Sequence, residues 1–361
     1  MSIITRRSWI KKNLIVASSG AVFSILPRKT YPAASGNGRL QLAMHLSLRN
    51  PERLQICQQM GVTHAITGSN FRNIGRDQYP EAAKKLKADF EAAGFKIAGI
   101  EGHPVPFEKI KLGLDGRDEE IANTNAAIEA LSKAGINMIC YNFMAGLGWY
   151  RTTFDIPARG GAKTSEFSYQ DSLQQGPTEW GEVSEEKMWD NITYFLERVI
   201  PVAEKYNMRM ALHPDDPPTS PLRGIARICT SASNYRRILN IARSPVHGIT
   251  FCQANFRAMG EDIYALAREF CESGKVFFVH FRDIEGNSNR FHETFHDNGP
   301  TDMAKMLEIY SRSGFVGPIR PDHAPTMAGE SEESKGYGMT GKVFAFGYMK
   351  GLMDARNIAY E

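Results

Sequence analysis

The sequence has few cysteines and no pattern among them: five in 361 residues (Cys57, Cys140, Cys229, Cys252 and Cys271), an odd number, widely spaced, with no Cys-x-x-Cys pair. That argues against a disulfide framework. Most of these thiols are expected to be buried as small apolar groups, and any one in a polar context needs a chemical task. Charge of one sign is also scarce. The formal net charge is +3, yet six basic residues (Arg6, Arg7, Lys11, Lys12, Arg28, Lys29) stand in the first 36 positions without an acid, so the rest of the chain carries about −3. No basic stripe or recognition motif remains, which removes nucleic acid as a partner. Beyond residue 36 no segment approaches roughly 18 continuous apolar residues, so no stable membrane insertion is expected there. Internal repeats and domain linkers are lacking too. Apolar residues are not scarce: at 42% hydrophobic and 10% aromatic the chain can bury one large core.

What is present begins with an address. Thr5-Arg6-Arg7-Ser8-Trp9-Ile10-Lys11 resembles the twin-arginine export motif, followed by an apolar run over 13–26 that is short for a membrane span. Residues 1–36 are therefore read as a signal for the twin-arginine export machinery, cleaved near 33–36, and 37–361 as one catalytic domain. The expected location is the periplasm, with anchoring by an uncleaved signal as the alternative.

From residue 40 onward, short β-rich runs alternate with longer helical patterns. Strands are predicted at 40–46, 63–68, 96–102, 137–143, 209–215, 248–254, 276–283 and 317–324. Helices are predicted near 51–60, 79–94, 118–134, 184–206, 232–243, 260–273, 301–313 and 341–354, several closed by a glycine before the next strand. Eight βα units in order predict an α/β fold, a closed (β/α)8 barrel of the TIM type. In such barrels the site is built at the C-terminal ends of the strands. The stretch 146–183, rich in Gly, Ser, Thr and Gln, is expected to be an irregular loop over that end.

Four successive strand ends carry residues with metal-ligand chemistry: His213, Cys252, His280 and Asp322. Neighbouring strands lie about 4.8 Å apart, so side chains at matching heights can converge on one ion. Two imidazoles, a thiolate and a carboxylate suit a divalent ion of intermediate softness, such as Mn²⁺, Fe²⁺, Co²⁺ or Zn²⁺. Each residue alone has a plainer explanation, a hydrogen-bonded strand end or an inert buried thiol.

Larger patterns then join these positions. His213-Pro214-Asp215-Asp216-Pro217-Pro218, Phe291-His292-Glu293 with His296 and Asn298-Gly299, Arg320-Pro321-Asp322-His323, and Cys140-Tyr141-Asn142-Phe143-Met144 leading to Trp149-Tyr150-Arg151-Thr152 together resemble the D-mannonate dehydratase family of xylose-isomerase-like barrels. The resemblance runs over residues 96–355. It implies that His213, Cys252, His280 and Asp322 hold Mn²⁺ or Fe²⁺, that His323 and Tyr337 transfer protons, and that Arg320 and Arg282 face the substrate. Tyr348 is a rival to Tyr337. Asp215, Asp216, His292 and Glu293 become candidates for the sugar hydroxyls, for supporting the ligands, or for ordering their loops, and Asn142 a candidate for binding the substrate. The family's habit of assembling implies a homo-oligomer. This chain departs from the pattern where Gln253-Ala254-Asn255 follows Cys252 instead of Thr-Gly-Ser, where Ala324 follows His323 instead of Gly, and in the opening strand and the 152–183 loop.

The implied chemistry is loss of water from a sugar acid. Proton removal beside a carboxylate and departure of hydroxide need charge stabilisation, a base and an acid. Planar arginine forks suit the carboxylate. Two other readings stay open: a sugar or sugar-acid isomerase or epimerase on the same metal barrel, and a periplasmic sugar-acid binding protein without turnover.

Overall fold

Strand and helix alternate at all eight predicted positions. The computed structural model describes residues 39–69, 71–331 and 336–361; the export signal read at 1–36 lies outside the described residues. Eight parallel strands close a barrel: β1 (Leu40–His45), β2 (His64–Thr67), β3 (Lys96–Glu101), β4 (Met138–Asn142), β7 (Arg209–His213), β8 (His247–Cys252), β9 (Val276–Phe281) and β12 (Gly317–Pro321). Their order around the barrel is β1-β12-β9-β8-β7-β4-β3-β2. The strands predicted to carry ligands are therefore neighbours in space. Cys252 sits opposite His280 in register, and Arg320 opposite His280 on its other side.

Two apolar layers hold this arrangement. Inside the barrel, Ala43, Ile66, Met138, Ala211 and Phe278 pack together, and a Cβ at Gly99 would collide with Met138. Outside, helices cover the strands. The helix Glu185–Lys205 shows why: Met188, Ile192, Phe195, Leu196 and Val199 recur at helical spacing and are all buried. Each such side chain contributes roughly 1.5–3 kcal/mol of burial. Its start is set by Ser184, whose hydroxyl accepts the Lys187 N–H at 3.2 Å. The helix that follows the third barrel strand, Arg117–Lys133, ends at Ala134 before Gly135, whose φ of 84° a side chain would resist.

The stretch 146–183 is not an irregular loop. It forms β5 (Thr153–Pro157), β6 (Lys163–Ser168) and the short helix Tyr169–Leu173. With β10 (Ile284–Asn287) and β11 (Arg290–Glu293) it makes a four-stranded antiparallel sheet, ordered β10-β11-β6-β5. The pairing of β6 with β11 joins segments over a hundred residues apart, so no local alternation announces it. All five cysteines are buried and none is in a disulfide. Among the described residues no helix is long and apolar enough to cross a membrane.

Candidate active site

A cavity of about 480 Å³ opens at the C-terminal ends of the barrel strands. His213, Cys252 and His280, the last residues of β7 and β8 and the penultimate residue of β9, place their ligand atoms within 4.8 Å of one another. Nε2 of His213 is 3.1 Å from Nδ1 of His280. The Nδ1–H of His213 donates to the Pro214 carbonyl at 2.7 Å, which leaves the Nε2 lone pair turned to the cluster. Burial pulls His213 down to about 3, so its imidazole is neutral, as a ligand must be. Burial pushes the Cys252 thiol up to about 12; only a cation beside the sulfur makes it a thiolate near neutrality. Asp322, one residue past β12, lies 3.5 Å from His280 Nδ1 and is held by Arg282 Nε at 2.9 Å and Arg320 Nη2 at 2.8 Å. Two imidazoles, a thiol and a carboxylate at this spacing fit a divalent metal ion.

Beside the cluster stands a hydrogen-bonded chain. Nδ1 of His323 faces Glu293 Oε1 at 2.9 Å, and Nε2 faces the Tyr337 hydroxyl at 2.8 Å. The carboxylate fixes the proton on Nδ1, so Nε2 accepts from the phenol. Trp149 covers the pair, its ring centroid 4.8 Å from that of His323 and 5.6 Å from that of Tyr337. Burial, reinforced by Asp322, raises the Tyr337 phenol well above its ordinary range, so it stays protonated. Tyr348 is stacked on Phe344 in the helix Met339–Ala355 and does not line the cavity.

Behind both groups lies a closed ring of buried charge. Arg151 donates to Asp216 and to Glu293, each at 2.6 Å. Arg282 donates to Glu293 at 2.8 and 2.9 Å and to Asp216 at 2.6 Å. Burial alone would raise both carboxyls, but the paired guanidiniums overcome it and hold Asp216 and Glu293 below the usual carboxylate range. Arg282 extends the ring to Asp322, and Glu293 extends it to His323. Arg151 comes from the β4–β5 connection and Glu293 from β11, so the small sheet helps set the His213–Cys252–His280 cluster and the His323–Tyr337 pair from behind.

Several residues expected to meet a ligand are therefore placed differently. Arg282 does not reach the cavity, because its nitrogens are turned to Glu293, Asp216, Asn255 and Asp322. Glu293 orients His323 instead of lining the cavity. His292 sits on β11 near Glu285, 3.8 Å away, in a separate cleft. Asp215 orders its loop, accepting from Arg227 at 3.1 Å and from the Cys229 N–H at 2.8 Å. Asn142, Arg320, His323 and Tyr337 do line the cavity. Sequence reasoning missed Glu101 and Lys342, which line it too, and gave Cys140 no role beyond its place in a motif. Glu101 carried a usable signal, a carboxylate at the C-terminal end of a barrel strand. It pairs with Arg320 at 2.6 Å; burial opposes its charge, but Arg320 and His280 bring it to about 2.

The D-mannonate dehydratase (UxuA) family profile matches residues 47–182 and 169–361. Mannonate dehydratase of Thermotoga petrophila is 35% identical over 339 residues, covering 83% of this chain and 92% of that one. The crystal structure of mannonate dehydratase from Streptococcus suis superposes with a TM-score of 0.79 at 27% identity, covering 90% of this chain and 96% of that one. This chain belongs to the D-mannonate dehydratase family. As a member it is a hydro-lyase, an enzyme that removes water. A xylose isomerase domain protein from Planctomyces limnophilus shares only the barrel, with a TM-score of 0.54 at 15% identity over 89% of this chain and 98% of that one. In this D-mannonate dehydratase family member, the departure after Cys252 is absorbed by packing. Gln253 accepts from the Tyr310 hydroxyl at 3.1 Å, and Asn255 accepts from Arg282 at 2.7 Å.

Proposed function

We propose that the protein converts D-mannonate to 2-keto-3-deoxy-D-gluconate and water, with Mn²⁺ or Fe²⁺ held by His213, Cys252, His280 and Asp322. The observation that carries this reading is the Glu293–His323–Tyr337 chain beside the ligand cluster, in a chain 35% identical to a mannonate dehydratase. The chemistry such an ion supplies when bound is positive charge beside the substrate carboxylate, where negative charge develops.

The protein's own groups account for the protons. His323 Nε2 takes the proton from C2, and Glu293 stabilises the imidazolium formed. Tyr337 gives its proton to the C3 hydroxyl, which leaves as water. Across their 2.8 Å contact, the proton gained by His323 then restores the Tyr337 phenol. The enol that remains becomes the 2-keto acid. Trp149 covers the pair and keeps bulk water from it.

Mass spectrometry after incubating the Mn²⁺-loaded enzyme with aldonic acids tests the reaction. A product lighter by one water from D-mannonate, absent with Cys252→Ala, supports it; a product of unchanged mass moves the assignment to isomerisation. Tyr337→Phe is expected to lower kcat by about 10²-fold or more, whereas Tyr348→Phe should leave it unchanged. Equal losses in the two variants, read from initial rates, would remove Tyr337 from the mechanism.

We also propose that residues 1–36 send the folded enzyme through the twin-arginine route to the periplasm. N-terminal sequencing of the protein recovered from a periplasmic fraction tests this, and an intact Met1 in the cytoplasmic fraction overturns it.

A further inference from the structure

We propose that Lys342, with Arg53 beside it, forms the subsite that receives the carboxylate of the sugar acid. The inference rests on the proposed function and adds what selects an acid over a neutral sugar.

Three long cationic side chains line the cavity: Arg53, Arg320 and Lys342. Arg320 is already committed, with Nε and Nη2 both turned to Glu101 and Nη2 also to Asp322. Arg282, the other guanidinium near the cluster, is committed behind it. Lys342 differs from both. It is only 4% exposed, and among the described residues no carboxylate pairs with it. Its ammonium stands 4.7 Å from the centroid of the Tyr337 ring, so it lies one phenol ring from the proton-transfer pair. Arg53, on the helix Pro51–Gln59, also has no carboxylate partner among the described residues. Burial, with Arg320 adding repulsion, pulls the Lys342 ammonium down to about 8. Asp322 and Glu101 act on this ammonium from a distance without touching it; its burial is costly, and an anionic ligand in direct contact offsets that cost. A neutral hydroxyl does not, so the subsite discriminates by charge.

The test compares D-mannonate with D-mannitol, which has the same carbon chain without the carboxylate. Calorimetric binding to the Mn²⁺-loaded His323→Asn protein, in which turnover of the acid is expected to be slowed about 10²–10⁴-fold, is measured with and without Lys342→Gln. Steady-state kinetics are measured in the otherwise unmodified enzyme. Loss of a charge-assisted contact is expected to weaken D-mannonate binding and raise KM about tenfold to a hundredfold. D-mannitol binding should not change, and Lys342→Arg should recover most of the loss. Unchanged D-mannonate affinity, or equal weakening for both ligands, overturns the assignment. If Lys342→Gln fails to fold, as read by near-UV circular dichroism, Arg53→Gln must show the same charge-selective loss, and its absence overturns the subsite. Turnover of D-mannonate by the unmodified enzyme with no effect of Lys342→Gln sinks this proposal alone. No binding or turnover of D-mannonate by the unmodified enzyme sinks the proposed function itself.

Discussion

His323→Asn is expected to lower kcat for D-mannonate by about 10²–10⁴-fold, the usual contribution of a positioned general base or acid. His323 touches both ends of the proposed proton path, Glu293 at 2.9 Å and Tyr337 at 2.8 Å. Asparagine fills part of the same space and can still hydrogen-bond, but it cannot hold a transferable proton near neutrality. The metal content of the purified protein should be unchanged, because His213, Cys252, His280 and Asp322 are untouched. KM should move far less than kcat, since the lost interaction belongs to the transition state. A variant with kcat within about tenfold of the parent and its metal intact would exclude His323 as the group that moves the proton.

Arg282→Met carries the largest expected effect on stability. The guanidinium neutralises Asp216 and Glu293 in the buried ring and stands 2.9 Å from Asp322. Removing it leaves three carboxylates sharing less positive charge where water cannot replace it. Breaking a buried pair in this way costs about 3–5 kcal/mol. An exposed helix pair such as Lys85–Asp89 contributes only about 0.3–0.5 kcal/mol. The urea midpoint should therefore fall steeply for Arg282→Met and barely move for Lys85→Ala. The damage should also reach the site, because the ring holds His323 through Glu293 and contacts Asp322 through Arg282. A midpoint close to that of the parent would mean that Arg151 and water compensate the ring without Arg282.

The eight strands were readable because each is a short apolar run with helices packed outside it and side chains packed within. Val276–Phe281 is buried along its whole length. His213, Cys252 and His280 were readable for a related reason: polar residues of ligand type end runs that are otherwise apolar, and parallel strands in sequential order bring their ends together. The small sheet was hidden because β6 finds its partner in β11, far along the chain, and its own residues are mostly polar.

The direction in which the charged side chains turn was hidden as well. Arg282 follows His280 by two positions, which suggests that it shares the cavity, yet it turns away to Asp216 and Glu293, contributed by the β7–β8 connection and β11. Lys342 lies in a helix pattern that says nothing about a cavity, and only its closeness to Tyr337 marks it. By itself the sequence determined the barrel, the strand ends that hold the ligand cluster and the family, because these follow from local apolar patterning and short motifs. The tertiary structure alone decided which cations stay available to a ligand. A buried guanidinium turns to whichever carboxylates the fold places beside it, and Asp216 for Arg282 and Glu101 for Arg320 come from segments far away in the chain.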